Sequence, residues 1–320
     1  MVRQMLFLDP PEHSRVRGLA SAAFTPRRVE KLRERIQEIT VGLLDAIVAD
    51  GEMDVMDVIA NPLPAIVTAE MFGMPVEDHR KLKDWSQDFA EMLGNFQHNP
   101  GRATRVLASV EGMTTYFRDL VRRQATDPTE GLINALATAV VDGDRLTEEE
   151  VVANVIVTMV GGQETTTNLI GNGLLTLLRH PDELQRLRDD LSIMPSAVEE
   201  LLRYESPSQH TARLARTDVE LGGKLIKKRD AVIAVMGAAN RDPERFREPD
   251  RLDLLRADNR HVAFAWASHF CFGAPLARLE GQIVLSTMLR RLPHMRLKSE
   301  SVEWRPNLGL RGLTALPVAF

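Results

Sequence analysis

The sequence predicts a mainly α-helical fold with a small β portion, because helical and strand patterns occupy different parts of the chain. Most segments carry apolar residues at helical spacing. Alternating, β-rich runs appear only in the last third, at residues 218–226, 231–238, 295–306 and 314–320. The 320 residues are 44% hydrophobic, enough for a sizeable core, and no Gly/Ser linker divides them. We therefore expect a single domain over residues 1–320.

Four helices are predicted before residue 125. The first covers residues 24–48, with Thr25 as its N-cap and Pro26 in its first turn, both typical of a helix start. The other three are predicted at residues 55–73, 77–93 and 102–124.

The longest predicted helix lies between Thr147 and Pro181. Thr147 and Glu150 have the spacing of a capping box. About 33 residues without proline would span roughly 50 Å. Its centre, GGQETTTN, places two glycines and several polar residues inside an otherwise apolar helix, and each glycine costs about 1 kcal/mol. A buried helix that is weakened at its centre indicates a functional site.

Composition excludes several classes of function. The net charge is −5 and there is no basic tail, which argues against a nucleic-acid partner. A single cysteine cannot form an intrachain disulfide, and no apolar run reaches the ~18–20 residues of a membrane span. We therefore expect a cytoplasmic protein without a membrane partner. The eight histidines show no close ligand spacing such as H-E-x-x-H, so a di-histidine metal site gains no support.

Four features are candidates for chemistry. Cys271, in FAWASHFCFG, is either an inert buried thiol or a ligand, and the residues alone leave both open. Three further candidates are the pair Glu164 and Thr165, the helical pair Glu200 and Arg203 at i, i+3, and a set of cations. The cations are His13, Arg17, Arg213 and His269.

Together these motifs resemble the cytochrome P450 family, the haem-thiolate monooxygenases, in its soluble bacterial class. The stretches DPPEHSRVR, AANRDPERF, APLARLE and RGLTALPVAF resemble the family in the expected order, so the likeness covers essentially the whole chain. The matching motif residues are Phe264, His269, Cys271 and Gly273 of the haem loop, Glu200 and Arg203 of Glu-x-x-Arg, and Gly162, Glu164 and Thr165 of Gly-x-acid-Thr.

The resemblance implies haem b as cofactor, with Cys271 as the axial thiolate ligand of the iron. A thiolate pushes electron density toward the iron and favours O–O cleavage. Gly273 permits a close backbone approach to the sulfur, and the positive end of the following helix would stabilise the thiolate. The four cations would bind the haem propionates, with the two arginines pairing bidentately. For His13 and Arg17 a solvated helix face is the alternative.

The resemblance also assigns Glu164 and Thr165 to oxygen activation, as a carboxylate that relays protons and a hydroxyl that donates to oxygen. The alternative is that Thr165 only bonds to the carbonyl four residues earlier and bends the helix, and both can be true at once. Gly162 would leave a small groove for oxygen. Glu200 and Arg203 are expected to be structural, with Arg251 as their third partner.

The implied activity is hydroxylation or epoxidation of a small lipophilic substrate by O2, with electrons from NAD(P)H through ferredoxin and ferredoxin reductase. The ferredoxin would dock near Arg278 and the haem loop. Candidate pocket residues, for each of which core packing is the alternative, are Val157, Val160, residues 208–212 and Leu310.

Some positions depart from the family. Ala265 and Ala267 replace glycines of the haem loop, and a Cβ at positive φ would cost roughly 1–2 kcal/mol. Lys227 and Arg229 replace a Pro and a Gly of a hairpin turn, which we expect to be altered.

The resemblance begins at the helix carrying His13, so the family's N-terminal portion is not represented. We therefore expect an open edge on the strand at residues 231–238 and a more open distal pocket. These departures keep an alternative open, a non-catalytic relative that binds haem weakly or serves as an interaction protein.

Overall fold

The computed structural model describes residues 3–94 and 100–320, and most of these residues are helical. The helices are α1 (Glu12–Ala23), α2 (Pro26–Glu30), α3 (Arg33–Asp45), α4 (Pro62–Phe72), α5 (His79–Gly94), α6 (Pro100–Thr126), α7 (Leu132–Thr138), α8 (Glu148–Arg179), α9 (Pro181–Asp189), α10 (Met194–Tyr204), α11 (Met236–Ala239) and α12 (Ala274–Arg291).

The strands form three small antiparallel sheets. They are β1 (Glu52–Asp54), β2 (Thr211–Leu214), β3 (Val219–Leu221), β4 (Lys224–Ile226), β5 (Ala231–Ala234), β6 (Arg296–Leu297) and β7 (Pro317–Ala319). The first sheet has the order β1-β7-β6, and the others pair β2 with β5 and β3 with β4. The mainly α-helical fold with a small β portion is thus confirmed.

Helix starts were predicted well, and helix continuity less so. Thr25 accepts the backbone N–H of Arg28 at 3.3 Å and caps α2, and Thr147 and Glu150 form the capping box of α8. The predicted helix over residues 24–48 is wrong in one respect, because it divides into α2 and α3. Between them Leu32 donates its N–H to Val29 O at 3.0 Å, a tighter turn than an α-helix makes.

The segment predicted as a helix over residues 55–73 also divides. A π-helical turn covers Met56–Ala60, and α4 starts at Pro62, whose ring lacks the N–H needed to continue a helix. The strand predicted at residues 231–238 ends at Ala234, and Met236 already belongs to α11.

Helix α8 is the central element. It packs against α4, α5, α6, α10 and α12, which explains why its sequence is apolar on most sides. The buried apolar side chains form one hydrophobic core. Its members range from Met5 to Val318, so elements from both ends of the chain contribute to it.

Strand β5 pairs only with β2 among the described residues, so its other edge is open. Ile233 is 47% exposed and Leu214 on β2 is 70% exposed. The hairpin turn before β5 places Arg229 at φ +76°, a conformation that favours glycine. Arg229 therefore adopts the left-handed backbone that a glycine would take there. Within the described residues no helix has the length and apolarity needed to cross a membrane.

Candidate functional site

Cys271 lies in a loop that enters α12. Its backbone N–H donates to Phe264 O at 2.8 Å, which closes the loop on itself. The Sγ atom accepts backbone hydrogen bonds from Gly273 and Ala274, at the start of the helix. Burial raises the pKa of the Cys271 thiol, while these two N–H groups and the charges of Arg17 and Arg278 oppose the rise. This environment suits a thiolate whose charge is shared with a bound cation.

The loop backbone is strained at two positions. Ala265 and Ala267 both have φ +58°, in the left-handed region where a Cβ costs roughly 1–2 kcal/mol. Both positions therefore have the positive φ at which the sequence predicted a cost for a side chain larger than that of glycine. Such a conformation persists only where surrounding contacts enforce it.

Two of the candidate cations meet beside this loop. The rings of His13 and His269 have centroids 4.2 Å apart. His13 is 2% exposed, yet neither of its ring nitrogens has a hydrogen-bond partner. Buried polar atoms nearly always have a hydrogen-bond partner, so the ring nitrogens of His13 indicate that a polar group binds beside them.

Two arginines surround the histidine pair. Arg17 donates from Nη2 to Phe270 O at 2.8 Å, and its guanidinium lies 5.1 Å from the centre of the Phe272 ring. Arg213, exposed on β2, donates to Thr211 Oγ1 and Ala212 O. The pKa of His269 is lowered by burial first and then by the charges of His13, Arg213 and Arg17, while Asp9 opposes the shift. The structure therefore brings all four predicted residues together, two arginine charges beside two histidine rings whose pKa values are lowered.

Helix α8 has one stripe of its surface that is not buried. Its residues from 151 to 177 are buried except at five positions, which recur at the spacing of a single helix face. These five are Val157, Thr158, Gly161, Gly162 and Thr165. An exposed stripe on the central helix marks space beside it that protein atoms do not fill.

Thr165 faces this stripe and bonds to its own helix. Its Oγ1 donates to Gly161 O at 2.6 Å. The bond to the carbonyl four residues earlier, which is compatible with a role in oxygen activation, is therefore present. A hydroxyl in this bond can still accept a hydrogen bond, and it can donate elsewhere only by releasing Gly161.

Glu164 is 1% exposed and lies between two cations. Lys83 of α5 donates to Oε1, and Arg305 donates from Nη2 to Oε2 at 2.8 Å. Burial alone would raise the pKa of Glu164, but the charges and hydrogen bonds of Lys83 and Arg305 lower it. The carboxylate is therefore ionised. Sequence reasoning missed both partners, which are 81 and 141 residues away and carry no local signal.

The predicted pair of Glu200 and Arg203 is fully buried. Arg203 donates from Nε and Nη2 to the two carboxylate oxygens, each at 2.8 Å. The prediction of Arg251 as third partner is wrong, because Arg256 fills that role with Nε 3.2 Å from both oxygens. The carbonyl of Arg251 accepts from Arg203, and its side chain points away to Glu248.

The candidate pocket residues divide. Val157 lies on the open stripe of α8, whereas Val160 is buried in the core. Ser208 and Leu310 form an isolated antiparallel bridge, so the two predicted pocket segments lie side by side.

The fold and the surroundings of Cys271 are compatible with a haem-thiolate oxidoreductase, and comparison with known proteins supports this class. The model of the family "Cytochrome P450" matches residues 1–313. Cytochrome P450 107B1 of Saccharopolyspora erythraea is 44% identical over 98% of this chain and 76% of its own length. The 6-deoxyerythronolide B hydroxylase of the same organism is 39% identical over 97% of this chain and 76% of its own length.

A solved structure is similarly close. P450BioI in complex with an acyl carrier protein ligated to hexadec-9Z-enoic acid superposes with a TM-score of 0.94 at 39% identity, covering 100% of this chain and 82% of that one. This chain belongs to the cytochrome P450 family. It is an enzyme of the monooxygenase class whose cofactor is haem b.

The residues of the site fit this cofactor. Haem b carries two propionates, and His13 offers a buried ring without a partner beside His269, Arg17 and Arg213. Its iron takes a thiolate, and Cys271 presents a sulfur already hydrogen-bonded by two backbone N–H groups.

Proposed function

We propose that this enzyme inserts one oxygen atom of O2 into a C–H or C=C bond of a small lipophilic substrate. Electrons would come from NAD(P)H through a separate ferredoxin and ferredoxin reductase, in the cytoplasm. The open stripe along α8 carries this proposal, because it adjoins Glu164 and Thr165 within an otherwise buried helix. A space of this kind suits a group taken from water into the protein interior.

The relatives support a lipophilic substrate. By its name, one relative hydroxylates 6-deoxyerythronolide B, and a structural neighbour binds a carrier protein loaded with a 16-carbon fatty acid. We propose a substrate of this general kind, a polyketide, terpenoid, steroid or fatty-acyl intermediate. Val157, residues 208–212 and Leu310 would contact it.

We assign the cofactor contacts as follows. Cys271 binds the iron through Sγ, and Gly273 and Ala274 hold that sulfur with their backbone N–H groups. His13, Arg17, Arg213 and His269 pair with the propionates, which would satisfy the unpartnered ring of His13. Haem, when bound, supplies the redox chemistry that activates O2.

The protein would manage protons through Thr165 and Glu164. The Thr165 hydroxyl leaves Gly161 O and donates toward the open stripe, where it holds a water or oxygen. Glu164 is ionised at rest between Lys83 and Arg305; it would take up one proton from the solvent side, become neutral, and return to the carboxylate on releasing that proton toward Thr165. Its two cations make it a weak base, so a loosened Lys83 contact favours this transfer.

The first test is the spectrum of the purified, haem-loaded protein, reduced and exposed to carbon monoxide. A red-shifted Soret band is expected from thiolate-ligated iron. The second test supplies NADPH, a ferredoxin and its reductase together with apolar candidate substrates, and measures oxygenated product by mass spectrometry. No haem uptake, or a thiolate band with no product from any lipophilic class, would contradict the proposal.

A further inference from the structure

We propose that Glu199 is a positioning residue for the Cys271 thiolate, acting through Arg278 and His261. The inference rests on the proposed role of Cys271 as iron ligand. Glu199 precedes the Glu-x-x-Arg motif on α10 and had no role in the sequence interpretation.

Glu199 joins three segments of the chain. Arg278 of α12 donates from Nε to Oε1 at 2.6 Å and from Nη2 to Oε2 at 2.8 Å. His261 places Nε2 3.2 Å from Oε2. A bidentate arginine–carboxylate pair has a defined orientation as well as a distance. The carboxylate therefore sets α10, α12 and the entrance of the cysteine loop relative to one another.

Both partners of Glu199 contact the start of that loop. The Arg278 guanidinium lies 4.6 Å from the centre of the Phe264 ring, and His261 Nδ1 lies 3.2 Å from the N–H of Ala263. Phe264 in turn accepts the N–H of Cys271 at 2.8 Å. The route from Glu199 to the cysteine backbone thus takes three contacts, each within hydrogen-bond or cation–π range.

Two adjacent carboxylates of α10, Glu199 and Glu200, bind different segments of the chain that precedes and follows the loop. Glu200 binds Arg203 and Arg256, the N–H of Asp253 and the amide of Asn259. These contacts end before the loop, whereas Glu199 holds the segment that begins at His261. The strained φ values of Ala265 and Ala267 require such support next to them.

Glu199 also balances the charge beside the sulfur. Its pKa is about 2, because hydrogen bonds and charges from Arg278 and His261 outweigh the opposing effect of burial. It is therefore ionised throughout the neutral range and offsets Arg278, whose positive charge acts on the Cys271 thiol. Without this negative charge, Arg278 would stabilise the Cys271 thiolate more strongly. The thiolate would then be a weaker electron donor to the iron.

The experiment compares haem-loaded Glu199→Gln and Glu199→Ala with the parent. Glu199→Gln retains hydrogen bonding but loses the charge, so the reduction potential of the haem should shift positive while the thiolate band remains. Glu199→Ala also releases Arg278 and His261, so the ratio of thiolate-ligated to blue-shifted carbonyl species should fall several-fold. Glu205→Gln is the matched control, since Glu205 is the C-cap of the same helix and pairs with Arg311 at 2.7 Å.

The outcomes separate the two assignments. A parent without the thiolate band would overturn the ligand role of Cys271, and this inference with it. A parent with the band, and Glu199 variants whose potential and carbonyl spectrum match the parent or change only as Glu205→Gln does, would overturn the role of Glu199 alone. Should Glu199→Ala not fold, the potential of Glu199→Gln decides.

Discussion

The centre of α8 and the Cys271 loop both carry candidate functional side chains, but the protein holds them differently. At the loop, backbone hydrogen bonds and two neighbouring carboxylates define the path of the chain. On α8, Thr165 has one bond within its own helix, and Glu164 depends partly on the long side chain of Lys83. The Cys271 loop, which would bind the iron, is thus held rigidly. The centre of α8, which would meet oxygen and substrate, is held by hydrogen bonds that a ligand can replace.

The largest expected effect comes from Cys271→Ser, which removes the ligand while leaving the loop. Serine keeps the size but cannot supply a thiolate, so the red-shifted carbonyl band should vanish. Product formation should fall on the order of 100-fold or more, since even outer contacts of a metal site are worth 10–100-fold. The same spectrum measures this. An unchanged band would show that the iron has another ligand.

A large effect is also expected from Thr165→Ala on the other side. If the hydroxyl delivers protons, product formed per NADPH should fall roughly 100-fold and hydrogen peroxide should rise. Thr176→Ala is the matched control, because Thr176 makes the same bond, Oγ1 to Asn172 O at 2.7 Å, in a fully buried part of α8. If both variants form the same amount of product per NADPH, Thr165 has no role in proton delivery and only bends the helix.

Glu280 is a buried carboxylate that forms no ion pair with any described residue. It lies on α12, 1% exposed, and Oε2 has no hydrogen-bond partner. Burial raises its pKa to about 8. Because the folded state holds this proton more tightly than the unfolded state, stability is lost as pH rises from about 4.5 to about 8 and is constant above that.

Glu280→Gln should therefore stabilise the protein at pH 8.5 and not at pH 5.5. The pKa difference sets an upper limit on the order of 5 kcal/mol, and the unmet hydrogen bonds of a buried amide reduce the gain to roughly 2 kcal/mol. Denaturant unfolding of the haem-loaded protein at both pH values measures it. A gain that is equal at the two pH values would mean that Glu280 is already ionised in the fold.

The smallest effect is expected from Ala267→Gly, which relieves one strained φ. The gain in unfolding free energy should be about 1 kcal/mol, with slower loss of haem to an acceptor protein. Ala263→Gly is the control, because Ala263 does not have positive φ, and there glycine should destabilise by roughly 0.5–1 kcal/mol. A loss of unfolding free energy in both variants would show that the positive φ of Ala267 is not a source of strain.

Local chemistry made much of this site predictable. Capping residues located the start of α8, two central glycines marked its site, and the order of short motifs identified the cysteine loop and its cations. Predictions failed where distant segments decide, as with the break between α2 and α3 and the choice of Arg256 over Arg251. Nothing near Glu164 or Glu199 in the sequence indicates Lys83, Arg305, Arg278 or His261 as partners.

The sequence by itself determined the family and the mainly helical fold and named the residues of the candidate site, because periodicity, caps and short motifs are local properties of the chain. The tertiary structure alone decided which cation neutralises each buried carboxylate and which face of α8 stays open. Those outcomes depend on contacts between residues far apart in the chain, and burial makes each such contact energetically decisive.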